Sequence, residues 1–286
     1  MSFEKALKTK KFVVTAEIFP PKGIDSSPAL KKSEALKDIV DAINVTDNQR
    51  AVMRMNPVVL CHQLVHKGID AIYQMSCRDR NSMGLSSDIL AASALGIKNI
   101  LAVTGDYPLR NGKMLAKPVF ELDSVQLLDL IGKLEKGADL NGAKLESSPR
   151  FCRGAVVNPS SEQMDLQILK LKKKTDAGAS FIQTQVVFDI DLFKRFRDKS
   201  SGVKTKYLLG IFPLKSLSVA QFMAEKVPGV KVPDKVLERM QNTSDPVQEG
   251  INIAVETIKE LRPYCDGVHF MTMNDEKLVR EILSRI

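Results

Sequence analysis

Residues 71–104 are AIYQMSCRDRNSMGLSSDILAASALGIKNILAVT, and the order of residue types in this stretch decides the fold. Apolar and β-branched residues from Ala71 to Cys77 predict a strand. The stretch from Ser87 to Leu95 has a helical pattern, and Gly96 provides a C-terminal stop signal. A second apolar run, Asn99 to Thr104, follows at once. This is a strand–helix–strand unit, the connection that joins parallel strands.

The same unit recurs along the whole chain. Six further strand candidates and five further helical patterns occur, at residues 12–19, 43–46, 151–157, 181–188, 207–212 and 267–273 for the strands, and 28–42, 57–67, 163–176, 190–199 and 274–286 for the helices. Asp123, with Gln126 three positions later, predicts a capping box on a helix that ends at Gly137. Residues 216–264 are too many for one helix, so we predict an extra helix between the seventh and eighth strands.

Eight strands separated by helices, in about the usual 250 residues, predict an α/β fold of the (β/α)8 TIM-barrel type. Residues 1–286 form a single domain in this prediction, since no linker-like or low-complexity segment divides them. The alternative is a doubly wound open sheet, which normally has a G-x-G-x-x-G turn after its first strand. Here the first strand runs into Phe19-Pro20-Pro21 instead, so the barrel is favoured.

The composition is that of a globular protein, with 286 residues of which 44% are hydrophobic and 27% charged. No apolar run approaches the roughly 18 residues of a membrane span. The net charge is +8, but there is no Trp and the basic clusters lack interleaved aromatics, so we predict no nucleic-acid partner. An acidic small ligand is compatible with this charge. Four scattered cysteines and an N-terminus without a signal-peptide pattern predict a cytoplasmic protein without disulfides.

Polar and charged residues gather where the predicted strands end. They are Thr46-Asp47-Asn48, residues 76–81, Thr104-Gly105-Asp106, Asn158, Gln183 and Gln185, and the loops after several strands contain Pro20, Pro21, Pro108, Pro159 and Pro213. Proline restricts its own φ and the preceding residue, so these loops should be stiff. The C-terminal ends of the strands form the active-site face of a barrel. We therefore predict a rigid site there for a heteroaromatic ligand, with Gly105 allowing a close backbone approach. For Arg78-Asp79-Arg80 we favour an ion-pair network that braces the barrel rim.

Glu17 lies within the otherwise apolar strand candidate at residues 12–19. Burial disfavours the ionised carboxylate and should raise its pKa, which suits a general acid working near neutral pH. An ion pair with a Lys or Arg of a neighbouring strand explains the position equally well. The histidines predict no metal site, because His62 and His66 share a helix face without an evident third ligand, and His269 is expected in the core.

The strand-end motifs resemble the methylenetetrahydrofolate reductase family. The matching stretches are Ala16-Glu17-Ile18-Phe19-Pro20-Pro21, Ser76-Cys77-Arg78-Asp79-Arg80-Asn81, Ala102-Val103-Thr104-Gly105-Asp106, Asp176-Ala177-Gly178-Ala179 and Thr184-Gln185-x-x-Phe188-Asp189. Their order and spacing match over nearly the whole chain. The second and third are closest to the branch found in acetogenic bacteria and in fusions with homocysteine methyltransferase modules.

The resemblance implies a flavin-containing barrel, with FAD expected before FMN, that reduces 5,10-methylenetetrahydrofolate to 5-methyltetrahydrofolate. The hydride donor it implies is NAD(P)H or an electron-transferring partner subunit, in a homo- or hetero-oligomer. Glu17 matches the acid that helps to open the methylene bridge, Asp106 matches a carboxylate between flavin and pterin, and Gln185 matches a pterin-contacting amide. Positions matching flavin contacts are Thr46, Gln74, Ser76, Thr104, Gly105, Asp106, Asn158, Gln167 and Lys174.

The chain departs from the family pattern at several of these positions. Many relatives have His at the positions of Gln74 and Asn158 and Arg at that of Thr104. Val219 and Met223 stand where relatives place Gln and an aromatic that order NADH and folate, which assigns Met223 to the substrate site. Two other functions stay open: a flavin-free pterin barrel that transfers a methyl group, and a folate-binding subunit of a larger complex.

Overall fold

Eight parallel strands form a closed barrel in the computed structural model, which describes residues 1–110, 113–114, 116–272 and 275–286. The barrel strands are β1 (Val13–Ile18), β2 (Ala42–Val45), β3 (Ala71–Ser76), β4 (Asn99–Val103), β7 (Cys152–Val157), β8 (Phe181–Val186), β9 (Lys206–Ile211) and β10 (Gly267–Phe270). Each strand pairs with the next barrel strand in the chain, and β10 pairs with β1 to close the cylinder. The predicted TIM-barrel class and all eight strand candidates are confirmed. Met273, at the end of the last predicted strand, lies outside the described residues.

Helices cover the outside of the barrel. They are α1 (Phe3–Thr9), α2 (Ser27–Leu36), α3 (Pro57–His66), α4 (Ser82–Ala94), α5 (Ser124–Glu135), α6 (Met164–Asp176), α7 (Ile190–Lys199), α8 (Leu217–Lys226), α9 (Asp234–Asn242), α10 (Pro246–Leu261) and α11 (Glu276–Leu283). Two short 3-10 helices lie at Gln49–Ala51 and Arg262–Tyr264. Within the described ranges, no helix is long and apolar enough to cross a lipid bilayer.

Several helix boundaries follow from capping residues. The predicted capping box of α5 is present, with the Asp123 side chain accepting from the backbone N–H of Gln126 and the Gln126 side chain bonding back to Asp123. The helix predicted at residues 87–95 begins five residues earlier, because Asn81 accepts from the N–H of Gly84 and caps α4. Asn274, where the last helix was predicted to begin, lies outside the described residues.

Three features go beyond the sequence prediction. Residues 216–264 contain three helices, α8 to α10, where one extra helix was expected. A small antiparallel hairpin of β5 (Leu109–Arg110) and β6 (Lys113–Met114) follows β4. Helix α1 precedes the barrel and packs Phe3 edge-on against Phe181, with ring centroids 5.1 Å apart. Phe3 therefore belongs to the apolar core inside the barrel.

The interior of the barrel changes from apolar to polar along its axis. At the N-terminal end of the strands, the inward side chains form an apolar cluster with α1, made of Phe3, Ala6, Leu7, Val13, Ala42, Ile72, Leu101, Cys152, Phe181 and Leu208. Because side chains alternate along a strand, the next inward residue of β1 is Thr15 and the one after it is Glu17. Asn44, Gln183 and His269 lie beyond the same apolar layer. The polar layer lies toward the C-terminal ends of the strands, where barrel active sites form.

Candidate active site

Glu17 is a buried carboxyl group at the centre of the candidate site. The residue is 5% exposed, and burial raises the pKa of its carboxyl group to about 7, although hydrogen bonds from the Gln49 and Gln74 side chains lower it. Gln49 donates from Nε2 to Oε1 over 3.4 Å. His269 Nε2 lies 4.0 Å from Oε2, and burial lowers the pKa of that imidazole to about 3. The predicted rise in the pKa of Glu17 is confirmed, and its neighbours among the described residues are amides and a neutral imidazole rather than a Lys or Arg.

The loop between β2 and α3 has an unusual backbone. Asn48, Arg50 and Ala51 have φ values of 45°, 55° and 55°, in the left-handed region that non-glycine residues seldom adopt. Such strain is stored where the surrounding structure fixes it, commonly at functional sites. Here the turn brings the Gln49 amide to Glu17 and places the Arg50 backbone N–H 3.0 Å from Asp106 Oδ2. Gln49 and Arg50 were missed by the sequence analysis. Asn48 is of a residue type that tolerates the left-handed region, but Arg50 and Ala51 are not, so the loop conformation could not be expected from them.

The turn after β4 exposes Asp106 beside that loop. Gly105 has a φ of +97°, and a Cβ at this position would collide with Ser76 Oγ. Only glycine fits here, so the predicted close approach of the Gly105 backbone is made to the end of β3. The Thr104 hydroxyl accepts from the N–H of Ser124 over 3.3 Å and thereby meets the start of α5.

Two arginines brace the rim through ion pairs. Arg78 is 2% exposed and pairs with Asp79 at 2.6 Å, while Nη2 also donates to the Asn48 carbonyl at 3.1 Å. Arg80 pairs with Asp47 and, at 2.8 Å, with Asp88. These bonds connect the ends of β2 and β3 with α4. The predicted structural role of this cluster is confirmed.

A β-bulge in β8 separates two glutamines that simple alternation would place side by side. Between Gln183 and Val186 the register with β9 shifts by one residue. Gln183 is 2% exposed and exchanges two amide hydrogen bonds with Asn44, at 2.7 and 3.0 Å. Gln185 lies within the bulge, half-buried, and its Oε1 accepts from the N–H of Val186. Gln183 is therefore a structural residue of the interior, and Gln185 lies nearer the barrel mouth.

Three of the residues matched to flavin contacts lie around β7 and α6. Asn158 donates to the Gly229 carbonyl at 3.0 Å and so holds the loop between α8 and α9. Lys174 is 8% exposed and donates to the Val156 carbonyl at 2.7 Å, while burial, with a smaller contribution from Lys170, lowers its pKa to about 8. Gln167 is half-buried on α6.

Two adjacent residues of α8 differ in their surroundings. Met223, which the resemblance assigns to the substrate site, is 8% exposed and packs in a satellite cluster with Val186 and Val230. Its neighbour Phe222 is 38% exposed, and the Arg50 guanidinium lies over its ring at 5.1 Å from the centroid. Successive side chains on a helix point about 100° apart, so the two residues lie on different faces of α8. The substrate contact of Met223 stays a prediction, and Phe222 is a second candidate on this helix.

The family profile described as methylenetetrahydrofolate reductase matches residues 2–286. The chain belongs to the methylenetetrahydrofolate reductase family. Among curated relatives, the 5,10-methylenetetrahydrofolate reductase of Salmonella typhimurium is 27% identical over 91% of this chain and 86% of its own length. The enzyme of the same name from Escherichia coli is 28% identical over 72% of this chain and 67% of its own. A probable methylenetetrahydrofolate reductase (NADPH) of Caenorhabditis elegans is longer, and the match covers 43% of it.

The barrel also resembles solved structures. One from Clostridium thermocellum, an uncharacterised protein that binds two copies of 5-methyl-5,6,7,8-tetrahydrofolic acid, has a TM-score of 0.67 over 99% of both chains. At 14% identity this likeness supports the fold alone.

Methylenetetrahydrofolate reductase family enzymes generally depend on flavin, and the residues at the ends of β2 to β4 fit such a group. The Thr46 hydroxyl is fully buried, and its Oγ1 has no hydrogen-bond partner among the described residues. Gln74 is half-buried on an inward row of β3. Asn158, Lys174 and Thr104 instead direct polar atoms at protein groups. The fit is thus better for the ring end of a flavin than for its phosphate end.

Proposed function

We propose that this chain reduces 5,10-methylenetetrahydrofolate to 5-methyltetrahydrofolate with a bound flavin, and that Glu17 is the general acid of the reaction. Family membership supports the overall reaction. The observation on which the acid assignment rests is the burial of Glu17 at the polar end of the barrel, which raises its pKa to about 7. A carboxyl group with this pKa still holds a proton near neutral pH and can deliver it.

The proton that Glu17 holds is needed at N10 of the folate. When N10 accepts it, the bond between N10 and the bridging carbon breaks and an iminium ion forms at N5. Hydride addition to that carbon then yields the N5-methyl group. A bound flavin would supply the hydride. The amides of Gln49 and Gln74 bond the carboxyl group and orient it.

The groups around Glu17 are suited to hold a pterin. We assign the pterin contact to the Gln185 amide, which the bulge in β8 sets apart from Gln183. Asp106 presents a carboxylate at the end of β4, held by the N–H of Arg50. Phe222 provides a partly exposed aromatic ring on α8, with the Arg50 guanidinium over it. Stacking on such a face stabilises heteroaromatic ligands by about 1 kcal/mol.

FAD is the flavin we propose, with Thr46, Gln74, Ser76, Thr104, Gly105 and Asp106 around the ring and ribityl chain and with Asn158, Gln167 and Lys174 toward the phosphates. Lys174 would have to exchange the Val156 carbonyl for a phosphate oxygen. Such an exchange would raise the pKa of its ammonium group, since a neighbouring anion favours the protonated form.

The motifs at residues 77–81 and 104–106 support a place in the branch of acetogens and methyltransferase fusions. Relatives of this branch can work with partner subunits, so the proposed donor is NAD(P)H or an electron-transferring subunit. Anaerobic titration with NADH distinguishes the two, because bleaching of the flavin band by NADH alone shows that no partner is obligatory.

The test separates the two half-reactions. The purified protein should show a flavin absorption spectrum, and Glu17→Gln should leave flavin reduction intact while folate reduction falls at least about 100-fold, the usual contribution of a general acid. Glu162→Gln is the matched control. The Glu162 side chain is 82% exposed, so this substitution should change neither half-reaction. A colourless protein that still binds methyltetrahydrofolate would favour a flavin-free methyltransferase. Folate reduction that survives Glu17→Gln would remove Glu17 from the mechanism.

A further inference from the structure

The buried polar layer contains a chain of hydrogen bonds that ends at Glu17. Asn44 and Gln183 form a reciprocal amide pair across the interior. The second N–H of the Gln183 amide points at Thr15 Oγ1, 3.4 Å away, and Thr15 Oγ1 lies 3.0 Å from His269 Nδ1. The other ring nitrogen of His269 faces the Glu17 carboxyl group at 4.0 Å.

The Thr15 hydroxyl has one proton, and its surroundings determine where that proton goes. Its oxygen accepts from Gln183, and the Val268 carbonyl lies 3.3 Å away, placed to take the hydroxyl proton. A carbonyl can only accept, whereas an imidazole nitrogen can either donate or accept. If the proton goes to Val268, the hydroxyl must accept from His269, so Nδ1 holds the imidazole proton. Nε2 is then a bare acceptor that faces Glu17.

We infer that Thr15 and His269 are positioning residues that keep Glu17 protonated: Thr15 fixes the Nδ1–H tautomer of His269, and the free Nε2 favours the neutral form of the Glu17 carboxyl group. This inference rests on the proposed function of Glu17 as an acid. The opposite tautomer would point an N–H at the carboxylate and favour its ionised form. A small rotation of either side chain, or one water, closes the 4.0 Å separation.

The other groups around Glu17 do not titrate near neutral pH. Asn44 is its register partner on β2, Gln49 approaches from the following loop, and Gln74 approaches from β3. His269, on β10, is thus the one titratable group among the described residues that lies against the carboxyl group. With a pKa lowered to about 3 by burial, it stays neutral throughout the working range and acts through its tautomer rather than its charge.

Two substitutions at Thr15 test the inference with a change of at most one methyl group in volume. Thr15→Val keeps the shape and removes the hydroxyl, and Thr15→Ser keeps the hydroxyl. Nitrogen-15 NMR of histidine-labelled protein reports the tautomer, with His269→Asn assigning the signal among three histidines. Carbon-13 NMR of glutamate-labelled protein reports the Glu17 titration, with Glu17→Gln as the assignment control. Neither readout requires turnover.

We expect wild type and Thr15→Ser to show the Nδ1–H tautomer and a Glu17 midpoint near 7. Thr15→Val should release the Nε2–H tautomer and lower the midpoint by about one unit, and the pH profile of folate reduction should shift equally while flavin reduction stays unchanged. An Nε2–H tautomer in wild type, or an unchanged midpoint in Thr15→Val, would overturn the inference. If Thr15→Val does not fold, His269→Asn replaces it, because loss of the Nε2 acceptor should also lower the midpoint. A protein without flavin would refute the proposed function and leave these titrations interpretable.

Discussion

Glu17 makes the stability of the barrel depend on pH. Its native pKa is raised from 4.5 to about 7, so the folded chain retains a proton that the unfolded chain loses first. Stability gained from this group is fully present below pH 4.5 and is lost as the pH rises to 7. Glu17→Gln removes the dependence. Relative to wild type, we expect the variant to gain about 3 kcal/mol between pH 4 and pH 8.

Urea unfolding at several pH values measures this gain. Glu162→Gln should unfold in parallel with wild type, since that side chain is exposed. If the free energies of unfolding of Glu17→Gln and wild type differ by a constant amount from pH 4 to pH 8, the carboxyl group is not held in its neutral form.

The neighbouring residues Met223 and Phe222 should have opposite roles. Met223→Ala removes a buried side chain from the satellite cluster and should lower the free energy of unfolding by about 2–5 kcal/mol. Phe222→Ala should cost about 1 kcal/mol or less, because the ring is 38% exposed, but should raise the KM for folate. Thermal denaturation and steady-state kinetics on both variants check this. A raised KM for folate in Met223→Ala at full stability would support the sequence-based assignment of Met223 to the substrate site instead.

At the residue scale, the sequence identified the groups whose position follows from strand order. The pKa shift of Glu17 followed from one acid in an apolar run. Gln49 could not be identified, because it reaches Glu17 only through a strained left-handed loop. His269 was expected in the core, where it lies, but its distance to Glu17 depends on the register of β10 against β1, and no local pattern gives that register.

At the element scale, the β-bulge in β8 is the feature that positions Gln185. The Thr184 hydroxyl accepts from the N–H of Gly210 at 2.8 Å and donates to the Gln185 carbonyl at 2.8 Å. The hydroxyl therefore takes the place of a backbone hydrogen bond between β8 and β9 that the bulge removes. Gly210 is required there, because a Cβ would collide with the Thr184 carbonyl. Strand periodicity predicts Gln183 and Gln185 on one face and gives no sign of the extra residue.

Thr184→Val tests the bulge. It leaves the buried N–H of Gly210 without its partner and should cost about 1–3 kcal/mol of stability. Because Gln185 loses its support, the KM for folate should also rise, with the rate of flavin reduction unchanged. Thr184→Ser keeps the hydroxyl and should behave like wild type in both measurements. Equal folate KM values in the valine and serine variants would separate Gln185 from the folate site.

Helix boundaries were predictable where a capping side chain was recognised. Asp123 and Gln126 fixed the start of α5. Helix α7 also occupies its predicted residues, although its N-cap, Asp189, was not part of that prediction. The sequence analysis predicted fewer than the three helices that lie between β9 and β10, because it did not identify Pro233 and Asp245 as N-cap positions. The break that ends at Pro233 matters for the site, since it forms the loop between α8 and α9 that Asn158 holds.

At the scale of the whole molecule, the two ends of the barrel have separate tasks. The alternation of strands and helices was enough to predict the closed barrel, because each helix joins one parallel strand to the next and covers the outside of the sheet. The sequence located the polar residues at the strand ends but not their depth inside the barrel, since that depends on how eight strands are staggered around the axis. Charge and amides lie in the layer toward the C-terminal ends, and the opposite layer is apolar and covered by α1.

Phe3 should therefore contribute to stability without affecting the chemistry. The ring is fully buried inside the barrel against Phe181, on the side away from Glu17. Phe3→Ala should lower the free energy of unfolding by about 3–5 kcal/mol, since it leaves a cavity in a closed interior that cannot collapse around it. Lys5→Ala, at an exposed residue of the same helix, is the control and should be neutral. At temperatures where Phe3→Ala remains folded, its flavin spectrum and the pH dependence of folate reduction should equal those of wild type. A shifted pH profile would mean that packing at the closed end reaches the polar layer through Thr15, and the two ends would then have to be treated as one coupled interior.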